Sequence, residues 1–208
     1  MSAPPPLAIP QTLPVMVLVG GILFPHSLLP LYLFEPRYRE MLAHSLGSHR
    51  MFALANLEAG PSWTQENETD DRIRPIMTAG VVRACVGQPD GTSRLMLQGV
   101  ARVRILGWEQ SEPFRIAKIA PVPTLIGNAH ENARTADKLL EIVLGVVGGG
   151  DSKTATLATQ LKTLDDPEVL SDFVAANFLL DPADRQHALE LDALGPRLQF
   201  LLSCLGQG

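Results

Sequence analysis

Apolar positions fall into short runs over residues 1–120 and into helically spaced stripes after that. Leu13–Val19 reads as a short strand ended by Gly20-Gly21. The stretch from Ile22 to Leu42 organises the rest of the chain. It holds a short apolar run, a proline turn at Phe24-Pro25-His26, a second apolar run from Leu28 to Phe34, and a helix start at Glu35-Pro36. Proline suits the first helical position, and Glu35 places negative charge at the positive end of the helix dipole. Tyr38, Met41, Leu42, Ser45 and Leu46 then recur at helical spacing, while Arg37, Arg39 and Glu40 point elsewhere, and Gly47 is placed to end the helix. Met51–Leu57 is a further strand. Residues 58–73 hold turn formers and acidic residues with almost no apolar content, Trp63 being the exception, and read as a mobile loop. Arg74–Gly87 and Arg94–Gln98 form a hairpin across Gln88–Thr92, a turn with Pro, Asp and Gly in sequence. Gly99 is expected to break the second strand. Beyond it Ala101, Val103 and Ile105 alternate with Arg102 and Arg104, which places the arginines in solvent. Trp108–Pro113 is expected to turn, and Phe114–Ile119 to form the last strand. Many short strands without intervening helices predict a closed or nearly closed antiparallel barrel.

The pattern changes at Pro121-Val122-Pro123. Asn128 with Glu131 resembles a capping box, and Ala136, Leu139, Leu140, Val143, Leu144 and Val147 form one helical stripe before Gly148-Gly149-Gly150. Leu157, Leu161 and Leu164 mark a second helix. Asp166-Pro167 starts a third, with Leu170, Phe173, Val174 and Phe178 inward, and Asp181-Pro182 repeats the signal. A last helix runs from Leu194 to Leu205. The prediction is an α+β chain: a β-barrel over 1–122 and a small helical bundle over 123–208.

Composition narrows the function classes. The 208 residues are 46% hydrophobic and carry a net charge of −5, as in an ordinary globular protein. Residues 1–120 hold 11 Lys+Arg against 10 Asp+Glu, and residues 121–208 hold 6 against 12. That balance gives no pull toward nucleic acid or an anionic membrane. No window supplies the roughly 18 apolar residues of a membrane helix. The N-terminus lacks the basic and apolar regions of a secretory signal. Cys85 and Cys204 fit no metal or redox spacing, so both are expected to be reduced, in a cytoplasm.

The organising stretch also carries a resemblance. Leu13-Pro14, Phe24-Pro25, Leu29-Pro30-Leu31 and Phe34-Glu35-Pro36-Arg37-Tyr38, with Met41 behind, resemble the opening of the Lon N-terminal domain family. GVARVRILGWEQSEPFRIAKI, with Arg102, is similar to the family's Gly-x-x-Arg-x-x-Ile segment. The run from Asp166 to Leu205, with Gln186, Leu189, Glu190 and Arg197-Leu198, resembles its helical part. The resemblance implies a PUA-like barrel followed by helices, with Pro25, Pro30, Phe34, Glu35, Pro36, Arg37, Tyr38, Met41, Arg102 and Arg197 as structural motif residues. It also implies binding of unfolded or exposed apolar polypeptide segments, or action with another protein, in protein quality control. The ATPase and Ser-Lys peptidase domains of Lon proteases have no counterpart before Gly208, so a stand-alone, ATP-independent and non-enzymatic module is expected, without a cofactor.

Candidate chemistry is sparse. Gly148–Thr154 lacks the glycine a phosphate loop needs before its lysine and follows a helix, so it reads as a linker. The five histidines have no acidic or cysteine partners at metal-ligand spacing. No nucleophile–base pair supports an unrecognised hydrolase. Arg83, Arg94, Arg102, Arg104 and Arg115 offer an RNA-binding face, against which the acidic pI near 5.5 argues. Phe24, His26 and Leu28 at the proline turn, with Trp63 in its polar loop, are the candidate polypeptide contacts.

Overall fold

The computed structural model describes residues 8–58, 72–147 and 152–206, with side chains omitted at 152–155. Trp63 and residues 148–151 lie outside the described residues. Six strands precede Pro121 and the helices come after it, with one helix inserted among the strands. The order is β1 (Thr12–Val19), β2 (Leu28–Leu33), α1 (Pro36–Leu46), β3 (Met51–Leu57), β4 (Ile76–Gly87), β5 (Ser93–Gln110) and β6 (Arg115–Pro121). Then come α2 (Ala129–Val147), α3 (Ser152–Leu161), α4 (Pro167–Phe178), α5 (Pro182–Glu190) and α6 (Leu194–Leu205). The α+β class and the change of pattern at Pro121–Pro123 are as expected.

The sheet runs β2-β5-β4-β3-β1-β6, and β6 also pairs with β5. The ring closes through the second half of β5, where Val103 to Gln110 meet Pro121 to Ile116. The first half of β5 instead carries β2, so closure is partial. One expectation needs correction: the sheet is mixed, because β1 and β3 run parallel, Val15 opposite Ala53 and Val19 opposite Leu57. Parallel neighbours need a long crossover, and β2 with α1 supplies it.

Two cores line the two faces of the sheet. Val15, Val17, Ala53, Ala55, Ala79, Val103 and Ala117 share one, and its small aliphatic residues explain how the sheet packs with few aromatics. Met16, Phe52, Leu54, Leu95 and Leu97 face the other, under Tyr38, Met41 and Leu42 of α1. Tyr38 is pinned to β1: its Oη donates to the Val17 carbonyl at 2.6 Å and accepts the Val17 N–H at 3.3 Å.

Gly99 does not break β5, which continues through it to Gln110. A Cβ at Gly99 would stand 2.1 Å from the Phe24 carbonyl oxygen. The proline turn crosses β5 there, with His26 N–H donating to the Gly99 carbonyl and Gly99 N–H to the Ser27 carbonyl, each at 2.9 Å. The glycine serves a close approach of two backbones. The expected turn at Trp108–Pro113 likewise starts late, since β5 includes Trp108 and Gln110.

Arg102 is the largest correction. It is 2% exposed, not solvated. Its Nη1 and Nη2 donate to Asp172 Oδ2 and Oδ1 at 3.0 and 2.5 Å, and its Nε donates to the Leu189 carbonyl at 3.1 Å. Arg197 on α6 reaches the same carboxylate at 3.1 Å. Alternation along β5 does turn Arg102 away from Val103, but the helices cover the face it turns to. Burial, with Arg102 alongside, pushes the Arg197 guanidinium down to about 10, so it stays charged at neutral pH. One buried carboxylate thus joins β5, α4 and α6. A second tie joins the start of β4 and the residues just before it to α5: Arg74 Nε donates to Glu190 Oε1 at 2.7 Å, and Gln186 Nε2 donates to the Ile76 carbonyl at 3.1 Å. Ile22, Phe24 and Ile76 enter the helical core beside Leu139, Val174 and Leu198.

The helix starts are set by the Asp-Pro pairs. Asp166 accepts Glu168 N–H at 2.8 Å and Asp181 accepts Ala183 N–H at 2.9 Å, each with proline next. Asn128 accepts Glu131 N–H at 3.2 Å ahead of α2. Glu35 makes no such bond and pairs with Arg37 at 3.0 Å instead.

Candidate functional site

Six consecutive apolar residues, LLPLYL, form β2. A strand apolar on both faces is expected to be covered on both. Here only one face is. Leu29, Leu31 and Leu33 turn toward the core under α1, whereas Leu28, Pro30 and Tyr32 turn out. Leu28 is 60% exposed, Tyr32 47%, and Phe34, next on the same side, 59%. The Tyr32 and Phe34 rings stand 5.9 Å apart.

Strand register extends this row into a surface. Pro30 lies opposite Met96, and Met96 opposite Ala84; Tyr32 lies opposite Arg94, and Arg94 opposite Val86. Val86 is 60% exposed. Between β2 and β4 lies a shallow groove of about 400 Å³, lined in part by Pro30, Tyr32, Val86 and Met96. Contiguous exposed apolar surface of this kind marks a binding site more often than isolated residues do.

β2 is also an edge strand, paired among the described residues with β5 alone. Ser27 stands opposite Gly99 and accepts its N–H, so by antiparallel alternation Leu29, Leu31 and Leu33 bond to β5. The backbone groups of Leu28, Pro30 and Tyr32 then point to the open edge. Pro30 removes the middle donor from it, as edge strands commonly do.

The four sequence candidates separate. Leu28 is on the exposed row, and His26 is exposed at its end, at the tip of the turn, with a φ of 65°. Phe24 is a correction: it is fully buried among the helices and offers no surface. Trp63 lies outside the described residues. Of the motif residues, Pro25, Tyr38, Met41, Arg102 and Arg197 are buried, and Pro30, Phe34 and Pro36 are exposed. Arg37 and Glu35 are half-buried and paired with each other. Sequence reasoning misses Tyr32, Met96 and Val86. The available signal is the lack of any polar residue at alternate positions of β2, which reads equally well as a strand buried on both faces.

The five arginines do not form one face. Arg102 is buried, Arg115 lies over Trp108 at 5.1 Å, and Arg94 lies over Tyr32 at the opposite end of β5. A larger cleft of about 540 Å³ opens where Arg74 and Asn56 meet Gln186 and Glu190 of α5. Its Arg74, Glu58 and Glu190 are occupied with one another. Among the described residues, no group of three or more His, Cys, Asp or Glu is placed to hold a metal. No described helix is long and apolar enough to cross a membrane.

Comparison with known proteins identifies the family and the fold. Residues 12–207 match the model of the ATP-dependent protease La (LON) substrate-binding domain. Lon protease 2 of Bdellovibrio bacteriovorus is 26% identical over 200 residues, covering 94% of this chain and 24% of that protein. Lon protease of Escherichia coli K12 is also 26% identical over 200 residues, covering 93% of this chain and 24% of its own length. The chain thus spans about a quarter of these curated relatives. The N-terminal domain of Mycobacterium avium complex Lon protease superposes with a TM-score of 0.76 at 16% identity, covering 94% of this chain and 98% of that one. The Lon N-terminal domain protein from Xanthomonas campestris gives 0.63 at 18% identity, covering 92% and 97%. At such identities the structural likeness speaks for the fold alone. With the family model matched from β1 to beyond α6, the chain belongs to the family of Lon substrate-binding domains.

Proposed function

We propose that this chain is a non-catalytic module that holds unfolded or exposed apolar polypeptide segments, in the service of protein quality control. The observation that carries the reading is the uncovered apolar row Leu28, Pro30, Tyr32 and Phe34, continued across the sheet by Met96 and Val86. Family membership supports a substrate-binding role. Contact with one face of three strands buries less than the roughly 1,600 Å² of a standard interface, so the association is weak and reversible.

The test is titration of a denatured model protein, followed by fluorescence anisotropy at low and high salt, beside a single-stranded RNA. Leu28→Ser with Tyr32→Ser is expected to leave the melting temperature nearly unchanged and to weaken polypeptide binding roughly tenfold or more, about 1.4 kcal/mol. Unchanged affinity in that variant refutes the site. Salt-sensitive RNA binding without polypeptide binding refutes the function. Trp63→Ala tests the remaining sequence candidate: unchanged affinity removes it from the contact.

A further inference from the structure

We infer that the segment this face selects carries a carboxylate beside its apolar side chains. The inference rests on the polypeptide-binding reading above and adds the charge of the ligand to it.

Two guanidiniums flank the apolar row. Arg94 lies in register between Tyr32 of β2 and Val86 of β4, with its Cζ 5.1 Å from the centre of the Tyr32 ring. Arg83, at the irregularity in β4 between Val82 and Ala84, reaches the row two along, where its Nε donates at 2.5 Å to Oε1 of Gln98, the residue opposite Leu28. Both are exposed. Among the described residues, neither is ion-paired and no acidic side chain lines the groove. The chain as a whole is acidic, at −5, so this face runs against the net charge.

The guanidinium sets the chemistry. Its planar fork matches a carboxylate with two parallel hydrogen bonds. The Tyr32 ring beneath Arg94 holds the fork in place and shields one of its sides from water. A segment with Asp or Glu next to its apolar residues therefore gains contacts that a neutral one lacks, and a segment with Lys meets like charge. A nucleic-acid phosphate is the other anion with this geometry. The surface between the two arginines is aliphatic, however; Tyr32 is covered by Arg94 and the exposed Phe34 ring stands beyond it at one end of the row, so successive bases have no run of rings to stack on.

The experiment uses three peptides with one apolar core and a neutral dye, flanked by Asp, Ser or Lys pairs, plus a single-stranded RNA of equal length. Anisotropy is read at ~20 mM and ~500 mM NaCl, on either side of effective screening. The order Asp over Ser over Lys is expected, with roughly fivefold between the extremes at low salt, as suits exposed pairs. High salt removes the spread and leaves the Ser peptide unchanged. Arg83→Gln with Arg94→Gln is expected to bring the ratio of Asp-peptide to Lys-peptide affinity to about one, and Arg94→Lys to retain part of the spread. Equal affinities for the three peptides overturn the inference and leave the proposed function standing. Absence of binding to every peptide overturns both. RNA bound more tightly than the Asp peptide overturns the inference in favour of phosphate recognition.

Discussion

Asp172→Ala removes the one carboxylate between two buried guanidiniums. Arg102 is 2% exposed and Arg197 is fully buried, so neither charge can reach water without opening the seam between sheet and helices. Some partners remain. Arg102 keeps the Leu189 carbonyl, and Arg197 keeps the Leu191 carbonyl at 3.0 Å and Thr124 Oγ1 at 3.2 Å. These acceptors are neutral and do not cancel two like charges held side by side. Removing one partner of a buried pair costs about 3–5 kcal/mol, and here two cations lose the same partner, so the upper end applies. Against a total stability of about 5–15 kcal/mol, the variant stands near its folding threshold. Urea unfolding followed by circular dichroism reads the loss as a fall in midpoint at constant slope. The companion variant, Arg102→Met with Asp172→Leu and Arg197→Met, removes all three charges and is expected to recover most of the loss, since apolar replacement of a buried ionic group is often neutral. An Asp172→Ala cost below about 1 kcal/mol would refute the argument, because it would show that water reaches the site.

Two more predictions concern Gly99, under the proline turn, and His49, just beyond α1. Gly99→Ala places a Cβ 2.1 Å from the Phe24 carbonyl oxygen, so about 3 kcal/mol of stability is expected to be lost in urea unfolding, whereas Gly107→Ala, with nothing within 4 Å, is expected to stay within about 0.5 kcal/mol; equal effects would sink the close-approach account. His49 is pushed below its ordinary value of 6.5 by burial and by His44 alongside, and its Nδ1 accepts Met51 N–H at 3.3 Å, which needs the neutral ring. The unfolded chain therefore binds a proton near pH 6.5 that the native state resists, and stability is lost as the pH falls below that value. His49 is exposed, so the stability gap between wild type and His49→Ala is expected to be small, about a few tenths of a kcal/mol near neutrality, and to shrink on going to about pH 5.5 in thermal melts; a pH-independent gap contradicts it.

The elements are legible in the sequence because each arises from local chemistry. Asp166-Pro167 and Asp181-Pro182 start helices by capping, and Gln88–Thr92 turns because Gly91 sits at a φ of 81° and Asp90 accepts the Thr92 N–H. The part that is not legible depends on which face another element covers. Arg102 and Arg104 are two residues apart on one strand, yet only the first lies under helices that come 70 or more residues later. Phe24 reads as a contact candidate for the same reason, since nothing near it in sequence reveals that the helical core encloses it. The parallel pairing of β1 with β3 is equally a property of the crossover between them. The apolar row on β2 is half legible: its composition is plain, but its openness depends on the edge position, which alternation cannot express.

That edge position has a consequence for how a bound chain would be held. An added strand needs an unbroken series of donors and acceptors, and Pro30 interrupts the series at its centre. A segment captured there would be gripped by its side chains and not by its main chain. Main-chain pairing would impose a polarity, N-terminus to one end, and a step of two residues between allowed positions. Side-chain contact imposes neither. On the proposed reading, a client would lie across β2 in either direction and slip along it without a ladder to break, so that a single shallow surface would serve segments of differing sequence and let each go by whichever end is pulled.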